Sequence, residues 1–265
     1  MKDNFWQGYI PPGRVFGNLY FVGTRPASSH LIDTGEGLIL IDAGFPEALG
    51  DLIENIRALG FDPMDIRKIL LSHGHYDHAG AARDLGRMTG AEICLGKGDL
   101  KMVTGEEDSS LADTLGASYT QFFTPDVLLS DGDIVTLGNT EILCLCTPGH
   151  TDGTTSFFFE ALDGERRIRA GMFGGAGTNT LTDEFLTSRA LPYSNRELFF
   201  ASIERLKKEK VELFLGNHVE NNNTEGKLQR VARGEKDAFL APDEWLSFLE
   251  ARRRRLLEII KNEGI

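Results

Sequence analysis

Within six residues, His73-Gly74-His75-Tyr76-Asp77-His78, the chain sets three imidazoles and a carboxylate, a density of electron-pair donors that points to metal chemistry. Neutral imidazole and carboxylate are the usual ligands of zinc and similar borderline cations. A lone His-Gly-His is compatible with an ordinary satisfied turn. Four donors together, directly after an apolar run, would be costly to bury without a cation to draw them together. Two later histidines repeat the placement. His150 lies in Thr147-Pro148-Gly149-His150-Thr151 after a strand-like run, and His218 closes Leu215-Gly216-Asn217-His218 after another. Each alone is a weak signal, but with the cluster they complete a donor set of His73, His75, Asp77, His78, His150 and His218. Of the six histidines only His30 is left over.

The elements that must position these donors follow from periodicity. Residues 15–22, 28–33 and 38–41 read as strands, the last continuously apolar as suits a central strand covered on both faces. Leu49, Leu52, Ile53, Ile56 and Leu59 recur at helical spacing up to Gly60. A buried strand at 66–71 runs into the donor cluster, and residues 79–88 read as the helix beyond it. Strand, ligand-rich turn, helix is an order that presents side chains at a sheet edge. Further strands are expected at 91–95, 127–129, 134–137, 141–146, 154–159, 168–173 and 211–215, and helices at 195–208 and 243–261. Residues 97–124 are polar and irregular, which in a compact domain marks a functional loop. Two packed sheets with helices outside, in one domain, fit this succession.

Composition narrows the partners. A net charge of −12 over 265 residues argues against nucleic acid, whose binding depends on Lys and Arg. The one basic run, Arg252, Arg253, Arg254 and Arg255, reads as a solvated helix face. Cys94, Cys144 and Cys146 form no CxxC and no even framework, and read as small buried hydrophobes. The first six residues lack a signal-peptide pattern and no run has the apolar length of a membrane span, so the expected compartment is the cytoplasm. The final helix carries an apolar stripe of Trp245, Phe248, Leu249, Leu256 and Ile260, suited to its own core or to a homodimer.

The donor cluster, the downstream Pro-Gly-His and the later strand-end histidine resemble the metallo-β-lactamase superfamily in kind and order. The likeness is greatest to the third subclass of zinc β-lactamases, whose ligands are His and Asp only. Asn18-Leu19-Tyr20-Phe21-Val22-Gly23 and Leu40-Ile41-Asp42-Ala43-Gly44-Phe45 resemble that subclass too. The resemblance runs from about residue 14 to 220 and leaves a C-terminal helical extension from about 221.

What the resemblance implies is an α/β protein of αββα sandwich form, two mixed sheets flanked by helices, holding two zinc ions, with iron or manganese acceptable to the same donors. One ion would take His73, His75 and His150, the other Asp77, His78 and His218. Asp42 would steady the ligand loop from behind. Many superfamily members carry a bridging Asp where this chain has Met172, a departure that favours His218 as the completing ligand. The lack of a Glu at position 75 argues against the di-iron flavoprotein branch. The implied reaction is attack of a metal-activated hydroxide on an amide or ester carbonyl of a small molecule, with Asp77 also orienting the nucleophile. Met172, Phe173, Gly174 and Gly175 stand where the subclass offers polar side chains to its substrate, and Phe45 and loop 97–124 are candidate pocket walls. An intracellular lactonase or thioesterase, or a metal-binding protein without catalysis, are the alternatives.

Overall fold

The computed structural model describes residues 6–264. Most of the N-terminal segment searched for a targeting signal therefore lies outside the described residues. The first sheet has the order β1 (Gly13–Phe16), β2 (Leu19–Phe21), β3 (His30–Asp33), β4 (Leu38–Ile41), β5 (Ile66–Leu71), β6 (Glu92–Gly96) and β7 (Val127–Leu129). Its strands are antiparallel up to β4 and parallel from there on. The second sheet comprises β8 (Ile134–Leu137), β9 (Thr140–Cys146), β10 (Thr155–Asp163), β11 (Arg166–Met172) and β12 (Leu213–Leu215), antiparallel except for the parallel pair β11–β12.

The helices are α1 (Leu49–Ala58), α2 (Tyr76–Ala79), α3 (Ala82–Thr89), α4 (Leu100–Thr104), α5 (Asp183–Ser188), α6 (Ser194–Leu206), α7 (Thr224–Ala232) and α8 (Pro242–Glu263). Alternation along the strands fixes the layers. On β4, Ile39 and Ile41 enter the core between the sheets, while Leu38 and Leu40 face a second core with Leu52, Ile56 and Leu85 of α1 and α3. On β10, Phe157 and Phe159 face inward, while Phe158 packs outward with Phe199, Ile203 and Trp245 of α6 and α8. Three cores separate four layers, which is the αββα sandwich.

Several boundaries differ from the sequence expectation. The run 15–22 is two strands, because Gly17, at φ 49°, turns the chain where an added Cβ would strike the Leu162 carbonyl. The helix expected at 79–88 begins earlier and breaks at Gly80-Ala81 into α2 and α3. Loop 97–124 contains α4, and α5 and α7 are too short to stand out as periodic patterns. The apolar stripe of α8 lies on the chain's own core: Trp245 packs on Phe158 and Phe214, and its indole N–H donates to Leu206 O at 3.2 Å. Cys94 and Cys144 are buried, and burial pushes both thiols up to about 12, as suits unreactive side chains. Among the described residues no helix is long and apolar enough to cross a membrane.

Because Trp245 is 1% exposed, Trp245→Ala is expected to cost about 3–5 kcal/mol of unfolding free energy, measured by urea denaturation. A loss below roughly 1 kcal/mol would contradict α8 as part of the core.

Candidate metal centre

Four strand ends meet at one edge of the sandwich. β4 delivers Asp42, β5 the cluster from His73 to His78, β9 leads to His150, and β12 leads to His218. The turn after β5 is close because residue 74 lacks a side chain; a Cβ there would meet Met102 Sδ at 2.8 Å and Asp99 Cβ at 3.2 Å. Gly149, at φ 134°, places His150 by letting the backbone pass Phe199, whose main-chain atoms would lie 2.6 Å from a Cβ.

All six expected donors converge. One ligand atom from each of His73, His75 and His150 lies within 4.8 Å of the others, and so it is for His73, Asp77 and His78. His218 completes the group: its Nε2 is 3.4 Å from His78 Nε2 and 3.6 Å from Asp77 Oδ2. His30 stays apart on β3, buried, with Nε2 at 3.0 Å from Gly216 O.

The far side of each ring shows why the donors face inward. Asp42 Oδ2 lies 2.8 Å from His78 Nδ1, and the same carboxylate accepts Ser72 N–H and Ser72 Oγ–H, both at 2.7 Å. Ser72 Oγ is in turn 3.0 Å from His73 Nδ1. His150 Nδ1 lies 2.9 Å from Gly177 O and 3.1 Å from Thr180 Oγ1, and His218 Nδ1 lies 2.8 Å from Pro26 O. With Nδ1 engaged by oxygen, Nε2 of these four rings is left free for the other donors, as His78 Nε2 shows at 3.2 Å from Asp77 Oδ2. Asp42 holds φ 60°, uncommon outside glycine, and the Ala43 and Gly44 N–H groups that follow both donate to His78 O. One turn therefore grips His78 by side chain and backbone.

The electrostatics are those of a site built around positive charge. Burial first, then the neighbouring imidazoles, holds His73 and His75 well below the ordinary histidine range. Burial likewise brings His150 down to about 4, so these rings are neutral at pH 7 with lone pairs available. For His78 burial is outweighed by Asp77 and Asp42, which raise its affinity for positive charge. Burial opposes ionisation of Asp77, yet His78 and His218 hold its carboxyl well below the usual range.

One positioning group was not singled out from the sequence. Asp99 is 2% exposed and bonds to both ligand loops: it accepts from Gly74 N at 2.8 Å, Thr151 Oγ1 at 2.8 Å and Gly153 N at 2.7 Å. Burial pushes its carboxyl up to about 6 against those hydrogen bonds. The available signal was its place just after β6, a strand end like the others.

His73, His75, Asp77, His150 and His218 floor a cavity of about 240 Å³ whose walls include Leu111, Asn179, Glu220, Asn221 and Arg252. A second cavity of about 300 Å³ adjoins His75 and His150 and is lined by Asp99, Met102, Asp108, Phe185 and Arg189 among others. Loop 97–124 thus walls both. Phe45 does not; it packs with Tyr76 beside Ala48. Met172 and Phe173 are buried in the cores, and only Gly175 and Gly177 lie against the ring of His150. Arg252 departs from the expected solvated face. Arg254 and Arg255 are exposed, whereas Arg252 is half-buried against the donors.

The sequence profile described as the metallo-beta-lactamase superfamily matches residues 22–214, and the chain belongs to that superfamily. It superposes on BJP-1, a subclass B3 metallo-beta-lactamase of Bradyrhizobium japonicum, with TM-score 0.89 and 25% identity, covering 100% of this chain and 98% of that one. The metallo-beta-lactamase FEZ-1 of Legionella gormanii gives TM-score 0.87 at 27% identity over 97% of this chain and 98% of that one. Similarity in three dimensions therefore extends through α7 and α8, beyond the limit near residue 220 expected from the motifs. In sequence the chain is 27% identical to Probable metallo-hydrolase YflN of Bacillus subtilis (strain 168) over 155 residues, 53% of this chain and 55% of that protein. The match thus spans only about half the length of that relative. An N-acyl homoserine lactonase of Bacillus thuringiensis is 25% identical over 228 residues, 75% of this chain and 84% of the lactonase.

Asp42→Ala and Asp99→Ala are each expected to weaken zinc binding about 10- to 100-fold, read by competition with a chromophoric chelator. Affinities within about twofold of the parent would contradict the positioning roles.

Proposed function

We propose that the chain is a metal-dependent hydrolase holding two divalent cations, zinc in the first instance, and acting on a small-molecule amide or ester carbonyl in the manner of a β-lactamase. The observation that carries this is the donor set: five imidazoles and one ionised carboxylate gathered at one edge of the sandwich, four of the imidazoles and the carboxylate lining one cavity, with the Nδ1 of four of the rings engaged by oxygen. Such a set fits two cations. His73, His75 and His150 would hold one, and Asp77, His78 and His218 the other. Bound there, the pair supplies a hydroxide near neutral pH and an electrophile for a carbonyl oxygen.

The chain's own residues do the rest. Asp42 and Ser72 fix the tautomers of His78 and His73; Gly177, Thr180 and Pro26 do the same for His150 and His218. Asp77, ionised and at the cavity wall, accepts a hydrogen bond from the attacking water and sets its direction. Leu111 adds an apolar face to the cavity wall. Among the described residues the serines near the donors serve as positioning groups, and no side-chain nucleophile is required.

Cyclic amides are the first substrates to test because subclass B3 structures superpose over the whole chain. Lactones are the second, favoured by the similarity to an N-acyl homoserine lactonase. The test is metal analysis followed by hydrolysis of a chromogenic cephalosporin, a γ-lactone and an aryl ester. Turnover is expected to vanish on chelation and return with zinc. His218→Ala is expected to bind one equivalent in place of two and to lose at least about 10-fold in kcat/KM. Two bound equivalents with no turnover on any of the three classes would favour a metal-binding protein without catalysis.

A further inference from the structure

The walls of the donor cavity carry polar side chains that the protein itself leaves unused. Among the described residues Asn179, Glu220 and Arg252 make no side-chain hydrogen bond or ion pair, although all three line the cavity floored by the imidazoles and Asp77. Arg252 is the most unusual of them. Its Nε is buried without a hydrogen-bond partner, and its Cζ lies over the Phe248 ring, 4.9 Å from the ring centre. A buried donor left unpaired costs free energy that a ligand acceptor would recover. The charged groups that act on it are Glu220, in the same cavity, and Arg255 one turn along α8. Neither is bonded to it.

We propose that Arg252 is the substrate anchor of this site, binding a carboxylate that the substrate carries beside its scissile carbonyl. The assignment rests on the hydrolase reading above and narrows its substrate class. A guanidinium presents N–H donors in a planar fork that matches the two oxygens of a carboxylate, and stacking on an aromatic ring keeps that plane fixed. The carboxylates of Glu220 and Asp77 share the cavity, so a singly charged group is accepted more readily than a phosphate dianion. The anchor comes from α8, in the part of the chain beyond the ligand motifs. That segment thereby joins the binding of substrate as well as the packing of the core.

The experiment compares a chromogenic cephalosporin bearing a free carboxylate with its methyl ester, on the zinc-loaded parent, Arg252→Ala and Arg252→Lys. The ratio of kcat/KM for acid over ester is expected to fall at least about 10-fold in Arg252→Ala, mainly through KM, and to recover in part in Arg252→Lys. A ratio within about twofold of the parent overturns the assignment. If the parent hydrolyses neither compound, the hydrolase reading fails on this substrate class while a second arm still decides. The Arg252 Nε–H resonance, assigned by its loss in Arg252→Lys, is followed by NMR during titration with phenylacetate and with phenylacetamide. A shift with the acid alone supports the carboxylate anchor; no shift, or equal shifts with both, overturns it.

Discussion

An imidazole has two nitrogens, and what binds one decides what the other can do. In this protein the Nδ1 atoms of His73, His78, His150 and His218 are all met by oxygen from behind. The remaining lone pairs therefore point into a common space, together with His75 and the Asp77 carboxylate. Buried bases so close together repel any proton brought to most of them, and burial above all keeps His73, His75 and His150 neutral at pH 7. His78, held between Asp42 and Asp77, favours positive charge despite its burial. Much of the rest of the molecule can be understood as the support this arrangement needs.

That support is layered. Asp42 is fully buried, and its charge is tolerated because Ser72 N–H, Ser72 Oγ–H and His78 all bond to it. Asp99 performs a parallel service lower in the site, tying the turn at Gly74 to the turn at Thr151–Gly153 across the two sheets. Behind these lie the parallel strands β4, β5 and β6, buried on both faces, which fix the strand ends from which the turns spring. Donors on turns with little freedom are placed before any ligand arrives, so little ordering remains to oppose binding.

The sequence disclosed the donors well because their signal is dense and local. Four ligands within six residues after an apolar run make little physical sense without a cation, and His150 and His218 then follow from their repeated position after strands. The sheets were legible for a similar reason: runs such as 38–41 and 66–71 have no polar residue to spare for solvent, apart from Arg67 and Lys68. Other features depend on contacts that no local pattern records. Asp99 and Thr180 act on ligand turns 25 or more positions away in the chain, and their neighbours in sequence carry no distinguishing pattern. Arg252 sits in a run of four arginines whose composition suggests only solvent, and the phase of α8 alone sets it apart from Arg254 and Arg255. Short helices such as α5 and α7 span too few turns to impose a period.

Whether six donors hold a pair of cations is tested most directly by a crystal of zinc-loaded protein measured on either side of the zinc absorption edge. Two anomalous peaks are expected, one at about 2.0–2.2 Å from His73, His75 and His150, the other at that distance from Asp77, His78 and His218. A single peak in the cavity, or His218 turned out of bonding range in the loaded protein, would contradict the paired site.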